Sequence, residues 1–231
     1  MDFWYDTAKA VVGTYIAVFI RKIHVQGNDN VPGGAKIVVA NHALASDGFL
    51  LPFLFPEKLH FFVQGELLTL PVLGKILQKA DQIPVYPGQG QQAMINARQK
   101  LEQGKTVVIF PEGKLNDGKG LLRAFSGAAR LTLESGAPIL PVGIYTPPEY
   151  VHSIRSKFFG RSTYGSWQFG GPTFVSIGDT LQPAREKITE FQQQYNRTVR
   201  EYTDDIMLRI NLMVERARVF ASSLLPGPQS P

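Results

Sequence analysis

A histidine and an aspartate five positions apart are the residues of this chain best placed for acid–base chemistry. His42 and Asp47 lie in the stretch NHALASD, directly after the strand-like run KIVVA at residues 36–40. Ligands of α/β folds bind at the carboxyl ends of strands, so this histidine is well placed to meet one. Asp47, in the first turn of a following helix, could hold the imidazole in one tautomer and make it a general base. Chance and an ordinary loop histidine remain as alternatives, because the spacing alone is a weak signal.

A second candidate motif, VVIFPEGK at residues 107–114, leaves another strand-like run. Here the chain passes into a proline, an acid and a glycine, and a glycine lets backbone approach a ligand closely. An ordinary exit from a strand into a turn would explain the same residues when they are taken alone. Two such motifs at strand ends are together more informative than either one.

Predicted strands and helices, which must position these motifs, alternate along the chain as they do in α/β folds. Helices are predicted over residues 46–55, 66–79, 90–103 and 123–135, and an apolar stripe from Ile188 to Met213 predicts a long C-terminal amphipathic helix. Residues 145–171 show no clear period and are predicted to be a long loop or insertion. The fold class expected is therefore α/β, with a mostly parallel sheet flanked by helices. The predicted strands are residues 36–40, 59–64, 82–86, 105–110, 138–144 and 172–178.

Composition narrows the chemistry that is open to the chain. The 231 residues include no cysteine, which excludes disulfides, thiolate catalysis and cysteine-bound zinc. A net charge of +5 suits an anionic lipid, a phosphorylated substrate or nucleic acid, and equally a merely basic surface. Nucleic acid is not expected as a partner, because the basic residues form no stripe with interleaved aromatics beyond residues 149–168.

The N-terminal segment predicts a helix that lies in a membrane interface. Residues 10–20 are apolar but too short to span a bilayer, which needs about 20 residues. The aromatic residues around this run and the basic pair after it are typical of interfacial helices, although a helix packed on the domain is the alternative. The aromatic residues are Phe3, Trp4, Tyr15 and Phe19, and the basic pair is Arg21 and Lys22. The predicted organisation is a membrane-interface helix over 1–24, a catalytic domain over 25–222 and a disordered tail over 223–231.

The motifs together resemble those of the glycerolipid acyltransferases, the lysophosphatidic acid acyltransferase or PlsC-like family. NHALASD resembles the N-H-x-x-x-x-D signature, FPEG the third block and GAPILPVGI, with Pro138, the fourth, in matching order over roughly residues 25–180. The resemblance implies that His42 is the general base, that Asp47 orients it, and that the acceptor oxygen attacks an acyl thioester directly. It also implies no cofactor or metal, with acyl-CoA or acyl-carrier protein as the donor substrate. The residues it implies for binding the acceptor or shaping its pocket are Asn41, Phe110, Pro111, Glu112 and Gly113.

Departures from the family pattern concern the acceptor. Tyr86 and Pro87 stand where the second block usually has an acid and a phosphate-gripping arginine. Lys114, Lys119 and Arg123 could supply phosphate contacts instead, unless GKLNDGKG is only a flexible surface turn. The expected enzyme is an acyltransferase on a lysophospholipid, by default 1-acylglycerol-3-phosphate, attached to the lipid surface at the cytoplasmic face of a membrane. Another lysolipid or glycolipid acceptor, or an inactive lipid-binding relative, remains open.

Overall fold

The computed structural model describes residues 2–116, 120–158, 161–183, 189 and 193–225, without the side chains of 156–158 and 161–164. The helices are α1 (Phe3–Phe19), α2 (Asp47–Leu50), α3 (Leu73–Lys79), α4 (Gly90–Glu102), α5 (Gly127–Ser135) and α6 (Tyr195–Leu224). The strands are β1 (Lys22–Gln26), β2 (Lys36–Ala40), β3 (Leu59–Gln64), β4 (Ile83–Val85), β5 (Thr106–Ile109), β6 (Ile139–Tyr145), β7 (Val151–Phe158), β8 (Arg161–Gln168) and β9 (Pro172–Ile177). Short 3-10 helices lie at Asn28–Asn30, Leu51–Phe53, Gly65–Thr69 and Pro148–Tyr150.

Seven of the strands form one sheet in the order β1-β9-β6-β2-β5-β3-β4. The five strands from β6 to β4 run parallel to one another, whereas β9 pairs antiparallel with β6 and parallel with β1. The mostly parallel sheet flanked by helices, with one helix at the N-terminus and a long one at the C-terminus, confirms the predicted fold class.

Helices cover both faces of the sheet, which explains why β2 is apolar at all four positions after Lys36. Its alternate residues Ile37 and Val39 pack in the core shared with α4, α5 and α6. Val38 and Ala40 point the other way, into the core shared with α1 and α2. A central parallel strand is buried on both faces, so it reads as a continuous apolar run and not as an alternation.

The prediction of a loop or insertion over residues 145–171 is wrong in its main part. After the last residue of β6 and a 3-10 turn, β7 and β8 pair antiparallel as a two-stranded ribbon outside the main sheet. Residues 152–155 of β7 are exposed, so the ribbon lacks the one-sided apolar period that marks a strand on a core.

The predicted domain boundaries also move. Lys22–Gln26 is strand β1, paired with β9, so a boundary at residue 24 would cut a strand of the sheet. Helix α6 continues to Leu224, inside the predicted tail, and residues 226–231 lie outside the described part of the chain. The first two residues of the predicted C-terminal stripe, Ile188 and Phe191, also lie outside it. Tyr195, the next residue of the stripe, is exposed, and the rest of the stripe is buried, namely Val199, Tyr202, Ile206, Ile210 and Met213.

Helix α1 packs on the domain along part of its surface, which is the second alternative considered for the N-terminal segment. Tyr5 is buried, and Tyr15 packs against the core that includes Ile20. Another side of the helix is apolar and open to solvent, since Phe3 is 71%, Val11 60% and Val18 66% exposed. Within the described residues, none of the helices has both the length and the apolar character needed to cross a membrane.

The contact between α6 and β6 gives a test of the fold. A Cβ added at Gly143 would lie 2.1 Å from the Met213 backbone. We expect Gly143→Ala to lower the free energy of unfolding by about 1–3 kcal/mol, the usual cost of overpacking, as measured by denaturant titration. The control is Gly90→Ala, where an added Cβ meets no atom within 4 Å. Equal stability of the two variants would contradict this packing.

Candidate active site

The two sequence motifs meet at the carboxyl edge of the sheet. His42 follows β2 and Phe110 follows β5, and these two strands are neighbours. The helix after β2 packs on one face of the sheet, whereas the helix after β5 packs on the other. Strands whose connections leave to opposite faces open a crevice between them, which is the usual ligand site of such sheets.

The structure brings His42 and Asp47 side by side. The His42 Nδ1 atom lies 3.5 Å from Oδ2 of Asp47, which also accepts a hydrogen bond from the backbone N–H of Leu44 at 2.7 Å. Burial raises the pKa of the Asp47 carboxyl above its usual value, and the neighbouring His42 opposes that shift. The imidazole is 20% exposed while the aspartate is buried, so Nε2 is the ring nitrogen left to meet a substrate. Catalytic contacts of this length commonly tighten when substrate binds.

Phe110 holds the plane of the imidazole. Its ring stacks on the His42 ring, with 4.1 Å between the centroids and 14° between the planes. The sequence motif placed Phe110 among residues that bind the acceptor or shape its pocket, and the contact that the structure shows is this stacking on the imidazole.

Glu112 ties together the two loops that carry the site. The side chain is buried, and Oε1 accepts a hydrogen bond from the backbone N–H of His42 at 3.0 Å. Oε2 accepts from the backbone N–H of Leu122 at 2.7 Å, and the Asn116 amide donates to both oxygens. The backbone N–H of Asn116 in turn donates to the carbonyl of His42 at 2.8 Å. Both oxygens of the Glu112 carboxylate therefore accept hydrogen bonds within the protein, and these bonds fix the backbone at His42 and Leu122.

The other motif residues also make structural contacts. The side-chain amide of Asn41 donates to the carbonyl of Ile144 and accepts from its N–H, which fastens the end of β2 to β6. The Pro111 carbonyl accepts a hydrogen bond from the N–H of Phe125 at 2.8 Å. Gly113 has a φ of +66°, and a Cβ there would lie 2.8 Å from the Phe125 ring, so the turn requires glycine.

The structure describes two of the three basic residues near the second motif. Lys114 and Arg123 are exposed and, within the described residues, make no hydrogen bond or ion pair. Lys119 lies outside the described residues. Beside Pro87, which stands at the position of the missing arginine, the ring of Tyr86 packs on Gly65, where an added Cβ would lie 2.2 Å from it.

A cavity of about 530 Å³ is lined by Asp47 of the pair, though not by His42, and it reveals residues that sequence reasoning missed. One wall is formed by Asn41, Leu44 and Asp47, and the far wall by polar residues of α6, including Arg218. No signal in the sequence pointed to this part of α6, because its cavity-lining residues, from Asn211 to Arg218, lie more than 160 positions from the NHALASD motif.

A second histidine–aspartate pair shows that distance alone does not identify a catalytic pair. His60 Nε2 lies 3.5 Å from Oδ2 of Asp81, as close as His42 lies to Asp47. His60 is the second residue of β3, so it lies at the amino end of that strand and away from the crevice. Its side chain is only 1% exposed. Burial, with a contribution from the Lys100 charge, lowers its pKa to about 4. Exposure and position at the crevice distinguish the His42 pair.

Comparisons with known proteins agree with this arrangement. The acyltransferase family model matches residues 22–145, which include both motifs. The chain is 32% identical over 139 residues to a lyso-ornithine lipid O-acyltransferase of Pseudomonas aeruginosa, over 59% of this chain and 53% of the relative. It is 30% identical over 150 residues to a 1-acyl-sn-glycerol-3-phosphate acyltransferase of Borreliella burgdorferi, over 62% and 59% of the two chains. The chain thus spans little more than half the length of these curated relatives.

A solved structure shows the same fold. The crystal structure of the 1-acyl-sn-glycerophosphate acyltransferase PlsC from Thermotoga maritima superposes with a TM-score of 0.68 at 20% identity. The superposition covers 96% of this chain and 81% of the other.

Proposed function

Because this chain belongs to the acyltransferase family, we propose that it transfers an acyl group from a thioester donor to the hydroxyl of a lysolipid, by default a lysoglycerolipid. The observation that carries the proposal is the solvent-reachable imidazole of His42, backed by the buried carboxylate of Asp47 in the β2–β5 crevice. An inactive lipid-binding relative would have no need of this pair.

In the proposed reaction His42 acts as the general base. Its Nε2 takes the proton from the acceptor hydroxyl as that oxygen attacks the thioester carbonyl carbon. Asp47, beside Nδ1, stabilises the imidazolium that forms. The tetrahedral intermediate then expels the thiolate of acyl-CoA or acyl-carrier protein, and the thiolate takes the proton from His42. No covalent acyl-enzyme forms, and the base returns to its starting state.

Two acceptors are proposed. The default is 1-acylglycerol-3-phosphate, named in the Borreliella relative, whose phosphate would meet the exposed cations Lys114 and Arg123. The second is a lyso-ornithine lipid, named in the Pseudomonas relative. It is favoured by Pro87, because a proline, which carries no charge, stands where a phosphate-gripping arginine would.

Product analysis with a panel of lysolipids, each with acyl-CoA and with acyl-carrier protein, tests the function and identifies the acceptor. If the acceptor carries a phosphate, Lys114→Gln or Arg123→Gln should raise its KM about ten- to a hundredfold, since a charge-assisted contact contributes about 1.5–3 kcal/mol. Arg200→Gln, on the exposed side of α6, is the matched control. Unchanged KM in both variants would favour the acceptor without a phosphomonoester, and no acylated product from any pair would overturn the proposed activity.

The exposed face of α1 supports the proposal that the enzyme attaches peripherally to the cytoplasmic face of a membrane. Val11 and Val18 are seven residues apart, two helical turns, and so share one side of the helix. Arg21 and Lys22 follow at its end and are exposed, in reach of anionic headgroups. A long-chain lysolipid resides in a bilayer, so a surface of this kind would bring the site to its acceptor.

Replacing both valines by aspartate tests this surface. We expect Val11→Asp with Val18→Asp to weaken binding to anionic liposomes by about tenfold or more, because each valine loses about 1.5 kcal/mol of apolar burial. Co-sedimentation measures the change. The matched control is Leu208→Asp with Val219→Asp, two exposed residues of α6 on the opposite side of the sheet. Equal sedimentation of the two variants would remove α1 from the membrane contact.

A further inference from the structure

The β7–β8 ribbon belongs to a stretch of one charge sign. Residues 150–178 contain three basic residues and no aspartate or glutamate. All three lie on the ribbon: Arg155 and Lys157 are two residues apart on β7, and Arg161 opens β8, paired with Phe158 in the backbone register. A strand pair with this composition attracts an anionic surface.

The base of the ribbon is packed against the C-terminal half of α1. The ring of Tyr15 lies 5.9 Å from that of Trp167, and its hydroxyl donates to the Gln168 carbonyl at 2.5 Å. One turn further on, the rings of Phe19 and Phe169 are 4.9 Å apart. The ribbon and α1 therefore form one continuous structural unit, and whatever surface α1 contacts lies next to the ribbon.

The ribbon also reaches the active site. Ser166 of β8 accepts a hydrogen bond at its carbonyl from the N–H of Ala45, which lies between the two catalytic candidates. Ser166 and Val151 both line the 530 Å³ cavity that Asp47 borders. The chain thus connects the basic ribbon to the wall of that cavity.

We propose that the β7–β8 ribbon is a second membrane-binding element, which binds anionic lipid headgroups beside the apolar face of α1. The inference rests on the proposed membrane attachment and extends it: α1 supplies apolar burial, whereas Arg155, Lys157 and Arg161 supply selectivity for anionic lipid. The two contacts lie next to each other and beside the site, so that together they hold it at the bilayer from which the acceptor comes.

A bilayer fits the ribbon better than an acidic protein does. Aromatic residues accompany the cations, with Phe158 near the ribbon's end, and aromatic and basic residues together are typical of membrane interfaces. The ribbon also continues a surface of α1 that is apolar and exposed, which an acidic protein such as a carrier protein would not require.

The test is a charge reversal of the ribbon. Arg155→Glu, Lys157→Glu and Arg161→Glu are combined in the full chain, and the matched control combines Arg98→Glu, Arg200→Glu and Arg216→Glu on α4 and α6. Both variants have the same net charge. Co-sedimentation uses phosphatidylcholine vesicles with and without phosphatidylglycerol. We expect the ribbon variant to bind phosphatidylglycerol vesicles about 10- to 100-fold more weakly than the wild type, the control less than threefold, and binding to pure phosphatidylcholine to be equal in all three.

The outcomes separate this inference from the one it rests on. If the wild type binds neither vesicle, the proposed membrane attachment fails, and this inference fails with it. If the wild type binds and the ribbon and control variants bind equally, only the inference about the ribbon is wrong. It is also wrong if the ribbon variant keeps vesicle binding and loses saturable binding to acyl-carrier protein. Circular dichroism checks the fold, and if the glutamates disturb it, the three glutamine substitutions must still give a selective loss on phosphatidylglycerol.

Discussion

His42→Ala should lower kcat by about 100-fold or more, the usual scale for removing a general base. The imidazole is the exposed member of the pair, and its loss leaves the acceptor hydroxyl without a group to take its proton. The measurement is steady-state turnover of the purified protein on a detergent-dispersed lysolipid, which separates chemistry from membrane binding. The free energy of unfolding should change little, because the partly exposed ring contributes mainly its stacking on Phe110.

Two variants control for this prediction. Asp47→Asn should cost less than His42→Ala in kcat, because it removes the group that orients the base and leaves the base itself. His152→Ala removes an exposed histidine of β7 and should leave kcat unchanged on the dispersed substrate. Near-wild-type turnover of a folded His42→Ala protein would rule out the proposed mechanism.

Glu112→Ala should lower the free energy of unfolding by about 3 kcal/mol or more, because an unsatisfied buried donor costs about 1–3 kcal/mol. The change leaves three donors without their acceptor: the backbone N–H groups of His42 and Leu122 and the side-chain amide of Asn116. Turnover should fall as well, since the backbone that carries His42 is no longer fixed. Denaturant titration and kcat are the two measurements.

A role for Glu112 in gripping the acceptor would give a different result. KM would then rise while the stability of the folded protein stayed close to that of the wild type. Glu66→Ala, an exposed carboxylate in the 3-10 helix after β3, is the control and should change stability by no more than about 0.5 kcal/mol.

The sequence by itself determined the layered fold and the place of the chemistry. The run KIVVA could only be a strand buried on both faces, and the stripe at spacings of three and four from Val199 to Met213 could only be a helix packed on one face. Because the carboxyl ends of neighbouring parallel strands share one edge, residues that follow two such strands had to come together. The family followed from the order of the motifs, since each motif records a local requirement of the backbone.

Only the tertiary structure decided what each motif residue does. His42 and His60 stand at equal distances from an aspartate, and exposure at the crevice separates them. Glu112 and Asn41 resemble ligand-binding residues, but their polar atoms bond to backbone 70 and 103 positions away, and no local pattern records such partners. The ribbon escaped prediction for a related reason. Periodicity appears in a sequence only where one face meets a core, and the ribbon is stabilised instead by pairing between its strands and by contacts at its base with α1, a helix about 150 residues earlier in the chain.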